Sequence, residues 1–110
     1  MKIKIHQYIS SAEINPFEKW FDKLNPIAAV KIATALYRLE QGNFSNVKSV
    51  GEGVFENKID FGPGYRIYFG QEGDELLILL GGGTKKLQDR DIQNAKKYWT
   101  EYKTLKKQRK

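Results

Sequence analysis

Alternation of apolar and polar residues at the beginning of the chain predicts a β-strand with one apolar face. Ile3 and Ile5 alternate with Lys4 and His6, and Ile9 follows in the same phase. His6 therefore falls on the polar face, where we expect a surface side chain rather than a catalytic group.

Two Asn-Pro pairs each predict the start of a helix. Asn15 can cap the first helix, and Glu18 follows three residues later as in a capping box. Asn25 and the proline after it end the first helix and begin the second, for which Gly42 is a suitable stop. The apolar residues at helical spacing are Phe17, Trp20, Phe21 and Leu24 in the first helix, and Ala29, Ile32, Ala33, Leu36 and Leu39 in the second. The two helices form a hairpin whose apolar faces need a sheet to cover.

The middle of the chain carries strand patterns separated by turn signals. The predicted strands are residues 47–50, 54–61, 65–71 and 76–80, the first of them short. The run 76–80 is continuously apolar, as in a strand that is covered on both faces, and three glycines at 81–83 are expected to end it. A last helix begins near Leu87, with Ile92, Ala95, Trp99 and Tyr102 on one face.

These elements predict an α+β fold in the order β-α-α-β-β-β-α, with three or four strands after the helical hairpin. The hairpin packs on a small, antiparallel-rich sheet. At 110 residues the chain suits one domain, 1–110, with a frayed basic tail at 106–110.

The turn Gly62-Pro63-Gly64 joins two of these strands and sets their expected pairing. The simplest register places Phe61 opposite Tyr65, which puts both in the core. The other face then carries a polar set, with Asp60 opposite Arg66, and is expected to be wet. An Asp60–Arg66 surface pair would contribute about 0–1 kcal/mol, so loss of Arg66 should not unfold the protein. The polar set is Glu56, Lys58, Asp60, Arg66 and Tyr68.

Composition excludes several classes of chemistry and locates the positive charge. The chain has no cysteine and one histidine, so we expect no disulfide, no thiolate or zinc site, and no cofactor. The start of the chain lacks a signal-peptide core and no run is long enough for a membrane span, which predicts a cytoplasmic protein without membrane contact. The net charge is +6; residues 85–110 carry ten basic and three acidic residues, a net of +7. Such a field attracts nucleic acid, an anionic membrane or an acidic protein.

Several blocks of sequence together resemble a known toxin superfamily. They are Gly42-Asn43-Phe44, residues 50–56, Asp60-Phe61-Gly62-Pro63-Gly64-Tyr65-Arg66 and Gly81-Gly82-Gly83-Thr84-Lys85-Lys86-Leu87-Gln88, followed by Asp91, Ile92 and Ala95. In this order and spacing they resemble the RelE/ParE superfamily, and most of all its HigB-like branch of addiction-module killer proteins. The resemblance covers nearly the whole chain and implies a RelE/ParE-like fold.

The resemblance also implies an activity and partners. Many relatives are toxins of type II toxin–antitoxin modules that cut messenger RNA on the ribosome. A HigA-like helix-turn-helix antitoxin neutralises the toxin, which is expected to be a monomer alone and part of a larger complex with the antitoxin. Two alternatives stay open: ParE-like inhibition of DNA gyrase, and an inactive toxin-derived module that only binds its antitoxin.

Metal-independent RNA cleavage needs a base, an acid and cations around the phosphate. The resemblance implies Lys58, Arg66, Lys85, Lys86 and Tyr68 as catalytic candidates. Arg66 suits a phosphate clamp because its guanidinium is planar, whereas Lys58 or Lys85 is the candidate base or acid. Contacts to RNA are expected from Gln88, Arg90, Lys96 and Lys97.

The sequence departs from the superfamily at two places. Relatives usually carry Glu-Leu-Arg where this chain has Glu56-Asn57-Lys58, so a forked guanidinium is replaced by an ammonium group and a polar residue occupies a core position. The tyrosine or histidine that some RNA-cutting relatives use near the end of the chain is absent; Asp91 and Ile92 are the nearest residues. No acid–base pair therefore follows from the motif.

Overall fold

In residues 2–108, which the computed structural model of the chain describes, strands and helices follow in a β-α-α-β-β-β-β-α order. The α+β class is confirmed, and four strands, the larger of the two numbers expected, separate the helical hairpin from the last helix. The elements are β1 (Lys4–Gln7), α1 (Pro16–Phe21), α2 (Pro26–Glu40), β2 (Val47–Gly51), β3 (Val54–Ile59), β4 (Tyr65–Glu72), β5 (Leu76–Thr84), a 3-10 turn (Lys85–Leu87) and α3 (Gln88–Gln108).

The strands form one mixed sheet in the order β1-β5-β4-β3-β2. β1 runs parallel to β5, and the other three pairs are antiparallel, so the expected antiparallel-rich sheet is confirmed. Strand β2 pairs with β3 at one edge, and β1 is the opposite edge. His6 on β1 is exposed, as predicted from its place on the polar face.

Local capping signals start both helices of the hairpin where the sequence predicted them. The Asn15 side chain accepts a hydrogen bond from the Glu18 N–H at 3.0 Å, and Asn25 accepts one from Ala28 at 2.9 Å. Gly42, with φ of +83°, ends α2. The buried stripe of α2 is Ala28, Ile32, Ala35 and Leu39. The prediction of Ala29 and Ala33 in this stripe was wrong. An alanine side chain buries little apolar area, so the larger residues Ile32 and Leu39 decide which side of the helix faces the sheet.

Helices cover both faces of the sheet. α1 and α2 pack on one face over a core that includes Phe17, Ile32, Ile67 and Phe69. α3 covers the other face through Trp99, which packs with Tyr68, Ile78 and Leu80 in a second cluster. The apolar stripe predicted for α3 is therefore a buried face. The prediction that the polar face of β3 and β4 is wet was wrong for Glu56, Arg66 and Tyr68, which are buried, and is confirmed for Lys58 and Asp60, which are exposed.

The strands β3 and β4 pair two residues out of the predicted register. Ile59 lies opposite Tyr65, Lys58 opposite Arg66 and Glu56 opposite Tyr68. The connection spans residues 60–64, and Gly62 and Gly64 adopt positive φ angles in it, so Phe61 lies in the turn and is 37% exposed. The predicted core position of Phe61 and the predicted Asp60–Arg66 pair were wrong. A shift of two residues leaves every side chain on its predicted face.

The three glycines continue β5 instead of ending it. Gly81, Gly82 and Gly83 pair with β4, after a register shift at Tyr68 and Phe69. A Cβ on Gly82 would collide with the Trp20 ring of α1, and one on Gly83 would collide with the Asp91 carboxylate of α3. Glycine at these positions therefore lets both helices approach the central strand closely.

The last helix continues into the segment expected to fray. Residues 106–108 belong to α3, and Lys106 forms an ion pair with Glu72 of β4. Arg109 and Lys110, the rest of the predicted tail, lie outside the described residues. None of the helices described is long and apolar enough to cross a membrane.

Candidate functional site

Three exposed lysines lie at the end of the sheet where β3 turns into β4. Lys58 is the last but one residue of β3, and its N–H donates to the Asn46 carbonyl at 3.0 Å. Lys85 follows β5, and its N–H donates to the carbonyl of Gly64 in the β3–β4 turn at 3.0 Å. Lys86 is next along the chain. All three side chains are exposed. The structure therefore brings three predicted site residues, from separate parts of the sequence, to one end of the sheet, which we call the lysine end.

Arg66 lies behind the lysine end and is enclosed by the fold. It is 5% exposed, and its Nη1 donates to the Gly64 carbonyl at 2.7 Å. Its Nε lies 3.7 Å from Oε2 of Glu56. The guanidinium holds the turn and faces a buried carboxylate, so it reaches no phosphate in this conformation.

Glu56 is the centre of a buried polar cluster between the sheet and α3. It is 1% exposed, accepts a hydrogen bond from Gln88 Nε2 at 2.8 Å, and lies 3.7 Å from Lys48 Nζ. Gln88, a predicted RNA contact, thus ties the first turn of α3 to β3. The alternation of apolar and polar residues placed Glu56 on the correct face of β3. It did not predict that Glu56 is buried, because it does not indicate which element covers that face.

Tyr68 lies in the same cluster and is closed to solvent. Burial is the main cause that raises the pKa of its hydroxyl above the ordinary value, and the negative charge of Glu56 adds to it. No acceptor in residues 2–108 meets the geometry of a hydrogen bond with that hydroxyl. Tyr68 is therefore a protonated phenol at neutral pH, placed one layer below the surface.

The first turns of α3 carry a second acidic group over the sheet. Asp91 is 9% exposed and packs over Gly83, and its Oδ2 has no hydrogen-bond partner in the described chain. Its Oδ1 lies 3.2 Å from Nη2 of Arg90, a predicted RNA contact that is largely exposed. The polar cluster under α3 thus contains Glu56, Arg66, Tyr68, Gln88 and Asp91.

The two predicted RNA contacts farther along α3 differ in their surroundings. Lys96 Nζ lies 3.3 Å from Oε2 of Glu52, and its side chain is only 18% exposed. Lys97, the next residue, is exposed. Lys97 is available to an outside partner, whereas Lys96 already has a carboxylate beside it.

A pocket of about 340 Å³ adjoins the lysine end between α2 and the edge of the sheet. Its cationic residues are Lys31 and Arg38 of α2 and Lys58 of β3, and the side chains around them are polar except for Val30, Ala35, Ile59 and Phe61. The remaining residues around it are Thr34, Asn43, Ser45, Asn46, Asn57 and Asp60. Sequence reasoning missed Lys31 and Arg38, which are exposed residues of α2 outside its buried stripe. The polar Asn57 at a core position was the one signal, since it lines this pocket.

Among residues 2–108, no three histidine, aspartate or glutamate side chains come together in a group that could hold a metal ion. The polar groups of the site are instead exposed ammonium groups, amides, the guanidinium of Arg66 and the buried carboxylates of Glu56 and Asp91. The exposed ammonium groups among them can bind and polarise an anion.

Comparison with known proteins finds one informative relationship. An uncharacterized protein of Haemophilus influenzae is 47% identical over 81 residues, which cover 73% of this chain and 82% of the relative. This chain belongs to the family of that Haemophilus protein. No protein-family model matches the chain. Because this relative has no assigned activity, the similarity shows a family but no function.

Proposed function

We propose that the chain is the toxin of a type II toxin–antitoxin module of the RelE/ParE kind, a ribosome-dependent endoribonuclease that cuts messenger RNA. The observation that carries the proposal is the lysine end, where Lys58, Lys85 and Lys86 stay exposed around one turn. Solvated ammonium groups at one end of a sheet suit contact with a phosphate backbone. The motifs that resemble the superfamily include this turn and both lysines of the pair after β5.

The chemistry needs no bound cofactor. The 2′-hydroxyl of a ribose loses its proton to a base, and its oxygen forms a bond to the adjacent phosphorus. The bond from phosphorus to the 5′-oxygen breaks, and that oxygen takes a proton from an acid, which leaves a 2′,3′-cyclic phosphate and a 5′-hydroxyl. Ammonium groups of Lys58, Lys85 and Lys86 neutralise the charge that builds on the phosphate oxygens. Arg66 holds the turn that positions them.

A second candidate is a toxin-derived module that binds its antitoxin without cutting RNA. The burial of Arg66 and Tyr68 favours it, because two of the five catalytic candidates lie out of reach of a substrate while α3 covers them. Both functions include a HigA-like helix-turn-helix antitoxin as partner, and only the nuclease needs the exposed lysines.

The test is induction of the chain in a bacterial host, with the 5′ ends of all messages mapped within minutes. Lys85→Ala and Lys86→Ala are the informative variants, since both side chains are exposed and their loss should leave the fold intact. Lys4→Ala is the matched control, because Lys4 is an exposed lysine on the edge strand β1, away from the lysine end.

New 5′ ends confined to translated regions, and lost in the Lys85 and Lys86 variants but kept in Lys4→Ala, are the expected result. Growth arrest with intact messages would contradict the nuclease and direct attention to gyrase. Growth without arrest would leave the binding module.

A further inference from the structure

The pocket beside the lysine end has an excess of positive charge. Lys31, Arg38 and Lys58 line it, and none of them takes part in the ion pairs found within residues 2–108. Asp60 is its only carboxylate among the lining residues. Three cations against one carboxylate leave a net charge of about +2, which favours an anionic ligand.

An aromatic ring also lines this pocket. Phe61 is 37% exposed because the β3–β4 connection carries it into the turn, away from the core. Lys31 Nζ lies 5.0 Å from the centre of the ring. A ring held in a turn with a cation over it offers one surface for a planar group and one charge for a phosphate close by.

Side-chain amides also line this pocket. Asn57 is 6% exposed and takes a position of β3 whose neighbours on that face, Phe55 and Ile59, are apolar. Asn46, which is exposed, also lines the pocket. An amide both donates and accepts hydrogen bonds, as the edge of a nucleobase does, so these two amides fit base recognition better than phosphate binding alone.

We propose that this pocket binds one nucleotide of single-stranded RNA, with its base against Phe61 and its phosphate between Lys31 and Arg38. Lys58 lines the pocket and belongs to the lysine end, so an RNA strand held here continues towards Lys85 and Lys86. The assignment of RNA as ligand rests on the proposed nuclease function, and it adds a substrate subsite on the α2 side of the sheet.

The test is binding of a fluorescent single-stranded hexaribonucleotide to the purified protein, followed by anisotropy over a range of salt concentrations. Phe61→Leu removes the ring and keeps an apolar side chain, whereas Phe61→Tyr keeps the ring. Arg38→Ala removes one cation, and Lys4→Ala on the far edge strand removes the same charge elsewhere. A nucleoside monophosphate is titrated in a parallel arm.

We expect Phe61→Leu and Arg38→Ala each to weaken hexanucleotide binding about tenfold, with a salt slope smaller by roughly 0.7 in Arg38→Ala. Phe61→Tyr and Lys4→Ala should bind within about twofold of the wild type. Equal affinities of all variants, a Lys4→Ala loss as large as that of Arg38→Ala, or no binding of the oligomer would each overturn the subsite. A monophosphate that binds as tightly as the oligomer would overturn the assignment to RNA.

Failure of this subsite and failure of the nuclease are separate results. If messages are cut in cells in a Lys85-dependent way but Phe61→Leu binds RNA normally, the subsite falls and the nuclease stands. If no message is cut but Phe61→Leu and Arg38→Ala weaken RNA binding as expected, the nuclease falls and the RNA subsite stands.

Discussion

The guanidinium of Arg66 lies 3.7 Å from the carboxylate of Glu56 beneath α3, and both side chains are closed off from solvent. The sequence motif suggests Arg66 as a phosphate clamp, but in the structure Arg66 is the partner of the buried carboxylate of Glu56. Removing one member of such a pair leaves an uncompensated charge in the interior. Arg66 is therefore a poor probe of catalysis, because its loss acts on the fold as well.

We expect Arg66→Ala to lower the free energy of unfolding by about 2–3 kcal/mol, below the usual range for a broken buried pair because Gln88 and Lys48 still face Glu56. Urea unfolding near pH 7 measures it, with Lys58→Ala, the exposed residue directly opposite, as the control. Identical midpoints for Arg66→Ala and the wild type would contradict the structural role.

The raised pKa of Tyr68 makes stability fall in alkali. The unfolded chain loses the phenolic proton near the ordinary value of about 10, whereas the folded chain keeps it to higher pH. The stabilisation is complete below that value and is lost as the pH rises above it. Tyr8, hydrogen-bonded to Glu101, has a pKa raised mainly by burial and acts in the same direction.

Tyr68→Phe should therefore make the fall of stability above about pH 10 less steep, while Tyr8 still contributes. Unfolding by urea at a series of alkaline pH values measures the slope. Tyr37→Phe, at an exposed position, is the control and should keep the wild-type slope. An unchanged slope in Tyr68→Phe would show that its hydroxyl is reached by solvent in the folded state.

Gly70 of β4 lies directly beneath the indole ring of Trp99. An added Cβ would collide with that ring, although the backbone of Gly70 has no positive φ. We expect Gly70→Ala to destabilise the protein by about 1–3 kcal/mol through overpacking. In a Trp99→Leu background the same substitution should cost much less, and a double-mutant cycle in urea measures the difference. Additive effects would mean that α3 does not rest on Gly70.

Lys96 and Lys97 are adjacent in sequence and should behave differently. Lys96→Ala removes a partly exposed ion pair with Glu52 and should cost less than about 1 kcal/mol of stability while leaving RNA binding unchanged. Lys97→Ala should leave the melting temperature unchanged and, under the proposed function, reduce the salt slope of RNA binding by roughly 0.7. Anisotropy and thermal melts on both variants test this. A lower salt slope in Lys96→Ala would contradict it.

Features encoded by a few neighbouring residues could be predicted from the sequence. Asn15 and Asn25 start α1 and α2 as expected, because a side-chain cap needs only residues within one turn. The faces of β3 and β4 were also predictable, since a period of two survives a register error of two. The register itself was not, because it depends on how many residues the turn around Gly62 takes.

Features that depend on distant parts of the chain could not be predicted. The apolar stripe around Trp99 predicted that α3 buries one of its faces. It did not indicate that α3 packs on the face of the sheet that carries Glu56 and Arg66. The three lysines of the motif do lie at one end of the sheet, whereas the exposure expected for Arg66 was wrong. Lys31 and Arg38 joined the pocket only through the packing of α2 against the sheet edge.

The parallel pairing of β1 with β5 has a consequence for how the chain is made. Residues 4–7 have no strand partner until residues 76–79 have been synthesised, and the polar face of β3 stays open until α3 has left the ribosome. Contacts between such distant segments slow folding, because a large loop must close before they form. Glu56 and Arg66 therefore stay in water from the time they emerge until α3 docks, and the polar cluster around them takes its final form only then.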